Sequence, residues 1–343
     1  MPENMENSSI SRRQNRILKH VIEEYVVSAQ PVSSEVVVRK YEPKVSSATV
    51  RNDMAALQDA GLLDHPHSSA GRVPSDVGYR HYVEYLMNDV RLSQSEERTI
   101  LHQFHQVEPH VSEWSRLASA VLSSYMQMPV VVVPPLEKNS RLMRLDLVPV
   151  ATGKALLVVI LHSGGVREQL VRLGEELSPD ALPSVAARWN ERVVDRSAIE
   201  IRAVPWEPSE VAIIEALVQV LEEEDQRQGW QVEGLSHIAA QPEFGSPERL
   251  QPVFEILERR GSLDDLVHAA FQAKGVLVSI GQEQPLEALR ECSAILCSYG
   301  RPGQLMGAVG IIGPRRLQYW RAVPMVEYVA DMLDRLLEET FLS

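Results

Sequence analysis

The stretch from Val45 to Val83 constrains the fold of this chain more than any other. Ser46 or Ser47 can begin a helix there, because a hydroxyl oxygen accepts a hydrogen bond from the free backbone N–H groups of a first helical turn. Three apolar residues then recur at i, i+4 and i+7, which is the spacing of one buried helix face: Val50, Met54 and Leu57. The pattern predicts an amphipathic helix.

A small β-hairpin is predicted directly after this helix. Gly61 stands where a helix would end, and the apolar pair Leu62-Leu63 follows it. After a polar tip, Arg72-Val73-Pro74 can return as a second strand. A helix followed by a hairpin is the outline of a winged helix-turn-helix, which reads DNA.

The residues before this stretch predict two further helices. The first runs from Ser11 to about Ser28, and Ser33 or Ser34 caps a second, short one. Helix, short helix, turn, helix and hairpin follow one another in winged-helix order. Asp76 is expected to cap a fourth helix after the hairpin. We therefore assign residues 1–91 to a winged helix-turn-helix DNA-binding domain.

The charge of the chain is distributed unevenly. Its net charge of −13 argues at first against a nucleic-acid partner. Residues 8–55, however, carry eight Lys or Arg against five Asp or Glu. A basic head on an acidic body suits a protein that contacts phosphates with one end only. Charge alone leaves open the alternative that this is an ordinary variation of surface charge.

The candidate DNA contacts lie on the predicted third helix and the hairpin. Arg can pair with guanine and Asn with adenine, while a small methyl group can contact thymine. Hydroxyls and an arginine at the hairpin suit phosphate contact or insertion into a minor groove. The alternative is a solvated helix face beside a flexible turn. The residues predicted to bind DNA are Ser46, Ser47, Ala48, Thr49, Arg51, Asn52, His67, Ser68, Ser69 and Arg72.

The remainder of the chain is predicted to be α+β. Strand-like runs occur at 141–150, 155–163 and 166–174, and again at 275–281, 293–300 and 307–313. Helical patterns flank them, ending in a helix from about Pro324 to Leu342. Residues from about 177 to 268 interrupt the strands, because they are acidic and mostly helical. Strands flanked by helices indicate an α+β domain with an insertion.

Other classes of site receive little support. The cluster of His102, His105 and His110 lacks a Cys or carboxylate at metal-ligand spacing. Cys292 and Cys297 lie five apart on a predicted strand, so they should point to opposite faces as buried residues. The sequence has no nucleophile elbow, phosphate-binding loop or zinc-protease motif, so neither an enzyme nor a cofactor is expected. A transmembrane or signal segment is not expected either, which favours a cytoplasmic location.

One segment, SATVRNDMAALQDAGLLDHPHSSAGRVPSDVGYRHYVEYL at 47–86, resembles the heat-inducible transcription repressors of the HrcA family. The resemblance extends over IGQE at 280–283, CSAILCSYG at 292–300 and GAVGIIGPRRLQYWRAV at 307–323. Family members tend to carry Asn where this chain has Gln284. They tend to carry Thr-Arg-Met-Asp-Tyr where it has residues 315–319.

The resemblance implies a multidomain α+β protein. Its expected parts are the winged helix-turn-helix, a GAF-like α+β domain at 92–176 plus 269–343, and an inserted mainly helical dimerisation domain at 177–268. It implies a homodimeric repressor that binds an inverted-repeat operator of heat-shock chaperone operons on double-stranded DNA. The GroE chaperonin is the expected partner that keeps the repressor active, with derepression on heat stress. The alternative is a winged-helix regulator gated by a small ligand in the GAF-like domain.

Overall fold

The structure is a computed structural model of the chain. It describes residues 10–66, 71–87, 91–107, 110–137, 140–162, 164–173, 179–208, 210–227, 231–259, 261–301 and 305–341. Its architecture is mixed α and β, with antiparallel sheets covered by helices. Within those ranges, none of the helices combines the length and the apolar character that crossing a bilayer requires.

The N-terminal head, residues 10–87, is a small helical domain with a two-stranded hairpin. Its elements are α1 (Arg12–Ser28), α2 (Ser34–Lys40), α3 (Ser47–Asp59), β1 (Leu63–Asp64), β2 (Val73–Pro74) and α4 (Asp76–His81), which continues into a π-helical turn, Tyr82–Leu86. The predicted order of helices and hairpin strands is confirmed. Ser11, Ser33 and Ser46 cap the first three helices, since each Oγ accepts a bond from a backbone N–H of the first turn.

The predicted cap of the fourth helix is wrong by one residue. Ser75 has the extended backbone of a cap, and its Oγ accepts a hydrogen bond from Gly78 N at 3.0 Å. Asp76 is already the first helical residue. Its carboxylate instead accepts hydrogen bonds from the C-terminal part of the chain. A capping residue and an N1 residue are both favourable places for Asp, so spacing alone does not separate them.

The body follows the head along the chain. Its elements in order are α5 (Gln94–His105), α6 (Val111–Met126), β3 (Val130–Glu137), β4 (Leu142–Ala151), β5 (Lys154–Leu161), β6 (Val166–Arg172), α7 (Leu182–Val193), α8 (Ala198–Arg202), α9 (Val211–Arg227), β7 (Gln231–Glu233), α10 (Leu235–Ala239), α11 (Pro247–Glu258), α12 (Asp264–Gln272), β8 (Val276–Ile280), β9 (Cys292–Gly300), β10 (Leu305–Pro314) and α13 (Tyr319–Phe341). All six predicted strand runs are present. The final helix begins before Pro324 and contains it.

A five-stranded antiparallel sheet forms the centre of the body, in the order β7-β3-β10-β9-β8. Helices α6 and α13 pack on one face, and α12 packs on the other. Cys292 belongs to the core beneath α12, whereas Cys297 belongs to the core beneath α13. The prediction that these two buried cysteines point to opposite faces is therefore confirmed.

A second unit has a separate core. Its three-stranded antiparallel sheet, β4-β5-β6, is covered on one face by helices, with α7 packed on β4 and α9 on β6. The core runs from Leu142 to Leu221 and includes the fully buried Trp189. A bidentate ion pair from Arg167 Nε to Glu224 Oε2, at 2.7 Å, joins β6 to α9.

The two body cores divide the chain differently from the predicted boundaries at 177 and 268. The strands at 142–172 share their core with the helices at 182–221. Residues of α11 and α12, such as Val253 and Leu266, pack instead with the central sheet. All these helices are amphipathic, and an apolar stripe does not specify which sheet it covers. The sequence therefore shows a helical segment without showing that its helices cover two sheets.

The head and the body share one continuous core. Ile17 of α1 and Met325 of α13 belong to the same buried cluster. A charged junction, defined by Asp76, Arg80, Glu283, Glu291 and Arg315, lies beside it. Arg80 Nε donates to Glu283 Oε1 at 2.9 Å. Arg315 donates to Asp76 at 3.1 Å and to Glu291 at 2.9 Å, so it bridges α4 and the body.

Candidate nucleic-acid interface

The hydroxyl groups at the start of α3 make internal hydrogen bonds. Ser46 Oγ accepts from Thr49 N at 3.1 Å and lies 2.8 Å from Thr49 Oγ1. Ser47 Oγ lies 3.0 Å from Ser34 Oγ of α2. These hydroxyls satisfy the free end of the helix and join it to its neighbour. In the structure these three residues support the surface of α3, and their contact with DNA stays a prediction.

The exposed face of α3 carries the other three predicted residues of this helix: Ala48, Arg51 and Asn52. The opposite face is buried, with Val50, Met54 and Leu57 all in the head core. The predicted division of α3 into a buried and an exposed side is confirmed. The exposed side is small near its start, with two groups that can hydrogen-bond base edges.

Helix α3 is fixed against α1 by a bidentate ion pair. Arg13 Nε donates to Asp53 Oδ2 at 2.7 Å, and Arg13 Nη2 donates to Oδ1 at 3.1 Å. The hydrogen bond with Asp53 raises the pKa of Arg13. The Asp53 side chain is only 8% exposed. A buried carboxylate needs such a partner, so the pair fixes the rotation of α3 and with it the exposed face.

The hairpin is anchored to the head through Arg72. Its backbone N donates to Val32 O at 2.8 Å and its O accepts from Val32 N at 2.9 Å. Gly71 permits this contact, because a Cβ at that position would lie 2.3 Å from Val32 O. The Arg72 Nε is buried and has no hydrogen-bond partner among the described residues. His67, Ser68 and Ser69 of the predicted tip lie outside the described residues.

Much of the positive charge counted in the head is neutralised locally. Lys40 Nζ lies 2.7 Å from Glu24 Oε1, and Arg16 Nε lies 3.0 Å from Glu42 Oε1. Arg51 is paired with Glu35, an acidic residue of α2 that is not among the predicted site residues. Three exposed cations have no ion pair within the described ranges: Arg12, Arg39 and Lys44. The freely available charge is therefore smaller than the sequence count suggests.

Comparison with known proteins identifies relatives over nearly the whole chain. Residues 113–323 match the family model described as "HrcA protein C terminal domain". The "Heat-inducible transcription repressor HrcA" of Roseiflexus castenholzii is 39% identical, covering 97% of this chain and 96% of the relative. Its namesake from Herpetosiphon aurantiacus is 38% identical over the same shares. That from Thermomicrobium roseum is 37% identical over 96% of each chain.

One solved structure shares the overall fold. It is described as a hypothetical protein at 2.2 Å resolution, and it covers 96% of this chain and 99% of its own, with a TM-score of 0.66. The two sequences are 20% identical, so the likeness concerns the arrangement of elements only.

Proposed function

Because the chain belongs to the HrcA family of heat-inducible transcription repressors, we propose that it represses heat-shock chaperone operons by binding an inverted-repeat operator. Its relatives are named as transcription repressors, and the chain is accordingly a repressor and not an enzyme. The proposed place of action is the cytoplasm, where the operator DNA lies. In this proposal the head is a winged helix-turn-helix and the central sheet with its helices is a GAF-like domain.

The observation that carries the proposal is the exposed side of α3. Ala48, Arg51 and Asn52 form one solvent-facing strip on a helix whose opposite side is buried. The Arg13–Asp53 pair fixes the rotation of that strip. A short hairpin follows this helix in the chain and is anchored at Arg72. Recognition helices use residues near their N-terminus to contact bases in the major groove, and this strip has that position and chemistry.

The proposed operator is an inverted repeat, and a homodimer matches its two-fold symmetry. The second body unit offers a surface for this dimer, which we call the outer sheet face. It is the side of β4-β5-β6 that no helix of the described chain covers. Its apolar members are Met143, Val148, Leu156, Val158, Ile160, Val166 and Leu170, several of them more than half exposed. Exposed apolar surface of this kind is typical of protein contacts.

The charges on the outer sheet face support a second copy of the chain as its partner. Register places Arg144 in line with Ile160 and Val166, and Asp146 in line with Val158 and Glu168. The face therefore carries both signs of charge among apolar residues. A surface with both signs can be complementary to itself across a two-fold axis, as an isologous dimer requires.

The proposal extends to the GroE chaperonin through the family resemblance. A repressor that needs chaperonin to reach or keep its fold loses active molecules when heat diverts chaperonin to unfolded proteins. This is mass action on a marginally stable protein. A mobility shift on an inverted-repeat promoter fragment, with and without chaperonin across temperature, tests it. We expect chaperonin to raise the fraction of DNA bound. Equal binding with and without chaperonin at every temperature would contradict the proposed role of GroE.

Base reading is tested with Arg51→Ala and Asn52→Ala. Each variant should lose about 1–3 kcal/mol of discrimination between operator and scrambled duplex. Arg98→Ala is the matched control, since it removes an exposed arginine from α5. Equal losses on both duplexes would contradict the assignment of these two residues.

Contact of the hairpin with the DNA backbone or minor groove is tested with Arg72→Gln. Loss of one phosphate contact should lower the slope of log affinity against log salt by about 0.9. A slope equal to that of the wild-type protein would show that the Arg72 side chain does not contact phosphate.

A further inference from the structure

Glu35 is an acidic residue beside the surface that is proposed to approach DNA. It lies in the first turn of α2, and its side chain is 63% exposed. Its Oε1 accepts a hydrogen bond from Arg51 Nη2 at 3.1 Å. The same oxygen accepts a bond from Ser47 Oγ at 3.3 Å. A carboxylate next to DNA repels phosphates, so its presence here requires a reason.

Stability of the fold does not supply that reason. The Arg51 side chain is 70% exposed, and ion pairs between exposed side chains contribute little to folding. The rotation of α3 is already fixed by the buried Asp53 and its bidentate partner Arg13. The Glu35–Arg51 pair therefore contributes little to the stability of the head or to the orientation of α3.

The carboxylate of Glu35 is itself held in place from the α2 side. Hydrogen bonds from its own backbone amide and from the Ser33 hydroxyl lower the pKa of Glu35, so it stays ionised at neutral pH. Ser47, the donor on the α3 side, also bonds to Ser34 Oγ at 3.0 Å. The first turns of α2 and α3 are thus joined by one polar network, and Arg51 lies at its solvent end.

This network leaves part of the Arg51 guanidinium available. Arginine carries five N–H donors in a rigid fork, and one Nη group is directed to Glu35. The same fork can pair with the O6 and N7 atoms of guanine. An arginine held on one side has fewer conformations to lose on binding, so less entropy opposes a directed contact.

We propose that Glu35 is a positioning residue that directs Arg51 toward a base and weakens binding to DNA in the wrong register. The inference rests on the proposed function. When Arg51 contacts a base, the charge of Glu35 remains paired. On non-operator DNA, Glu35 competes with phosphates for Arg51 and repels the backbone. Glu35 therefore adds to specificity mainly by penalising the wrong partner.

The test is a double-mutant cycle on the full chain, with Glu35→Gln and Arg51→Ala measured on operator and scrambled duplexes. Glu35→Gln should tighten scrambled-duplex binding by roughly 3–10-fold and change operator binding less, since Arg51 becomes free to contact phosphate. The salt slope on scrambled DNA should steepen by about 0.9 for that new contact. In the Arg51→Ala background, Glu35→Gln should change the operator-to-scrambled ratio by less than about twofold.

Glu42→Gln is the matched control, because it removes one negative charge from the head at a carboxylate that pairs with Arg16 of α1. The control should leave the operator-to-scrambled ratio unchanged. If the wild-type protein discriminates between the two duplexes and Glu35→Gln has the same operator-to-scrambled affinity ratio, this inference alone is overturned. The inference is also overturned if Glu35→Gln changes that ratio by the same factor in the Arg51→Ala background. A wild-type protein without salt-dependent binding to either duplex would overturn the proposed function and this inference together.

Discussion

At the scale of single residues, two glycines of the head allow contacts that any side chain would prevent. A Cβ on Gly71 would lie 2.3 Å from Val32 O, where the hairpin meets the α1–α2 connection. A Cβ on Gly78 would lie 2.0 Å from Leu62 O, where α4 crosses the start of the hairpin. Both distances are far below van der Waals contact. The packing of the hairpin against the rest of the head therefore requires glycine at both positions.

Gly78→Ala should destabilise the head. The added methyl group must displace backbone atoms, and overpacking of this kind costs about 1–3 kcal/mol. The check is the midpoint of chemical denaturation, followed by circular dichroism. Gly245→Ala is the control, because the nearest atom to its new Cβ is Pro242 O at 3.4 Å, an ordinary contact. Equal midpoints for the two variants would show that the close approach at Gly78 does not limit stability.

The buried carboxylate of Glu24 is expected to make the stability of the head sensitive to acid. It is 9% exposed, and it accepts hydrogen bonds from Lys40 Nζ at 2.7 Å and Tyr41 OH at 2.8 Å. The bond from Lys40 is the main cause of its lowered pKa. The pKa of Glu24 is lower in the folded than in the unfolded state. The ionised carboxylate therefore stabilises the fold in full at pH values above its ordinary pKa near 4.5. This stabilisation is lost as pH falls through the folded pKa.

We therefore expect the melting temperature of the wild-type protein to fall between pH 5 and pH 3, and that of Glu24→Gln to fall less steeply, from a lower starting value. This pH interval is on the order of the usual range of carboxylate pKa values. Glu258→Gln, at an exposed carboxylate of α11, serves as the control and should keep the wild-type steepness. Parallel curves for Glu24→Gln and the wild-type protein would exclude Glu24 as a source of the acid sensitivity.

At the scale of elements, α4 connects the head to the body. Gln282 N donates to Asp76 Oδ2 at 3.0 Å, and Arg80 Nη2 donates to Val278 O at 2.7 Å. Beneath these bonds the rings of Tyr79 and Tyr319 lie 5.6 Å apart and both are buried. The helix therefore presents charged and aromatic side chains together to the body. The head is expected to unfold with the body rather than independently.

Arg315→Ala should uncouple the two parts. It removes the bridge between Asp76 and Glu291 and leaves Asp76, which is mostly buried, with fewer partners. Loss of such a charged hydrogen bond costs about 1–3 kcal/mol. Calorimetry should then resolve a separate head transition at lower temperature. Arg301→Ala, which removes the Arg301–Glu338 pair within the body, should keep the wild-type profile. A single unchanged transition in Arg315→Ala would exclude the junction as the source of coupling.

At the scale of the whole molecule, the exposed strip of α3 and the outer sheet face belong to different units. The first lies on the head and the second on the unit formed by β4 to β6 with α7 to α9. Deleting residues 177–268 would also remove α11 and the first half of α12 from the central core. A point variant on the outer sheet face therefore tests the proposed dimer more cleanly than a deletion.

Leu170→Glu should give a monomer that binds the operator weakly. Leu170 is 56% exposed and lies in line with Val148 and Leu156 on the outer sheet face, so a charge there would be desolvated on association. Sedimentation velocity and a mobility shift are the measurements. The control is Ile199→Glu, since Ile199 is 72% exposed on α8 of the same unit. A dimer that persists in Leu170→Glu would place the interface elsewhere.

The sequence by itself determined the local structure of this protein. The capping serines of the first three helices, the buried stripe of α3 and the six strand runs were readable, because capping and periodicity are local properties of the sequence. The motif at 47–86 also determined the family. Of the ten predicted contact residues, Ala48, Arg51 and Asn52 lie exposed together on α3, as their spacing required.

Only the tertiary structure decided which distant groups meet. Glu35 lies beside Arg51 because α2 crosses α3, and Asp76 meets Arg315 across 239 positions of sequence. The helices after residue 177 divide between two sheets. None of these contacts has a periodic signature, since a charge or an apolar stripe specifies that it needs a partner and not which partner it finds. The charge balance at the exposed strip of α3 was therefore fixed by packing.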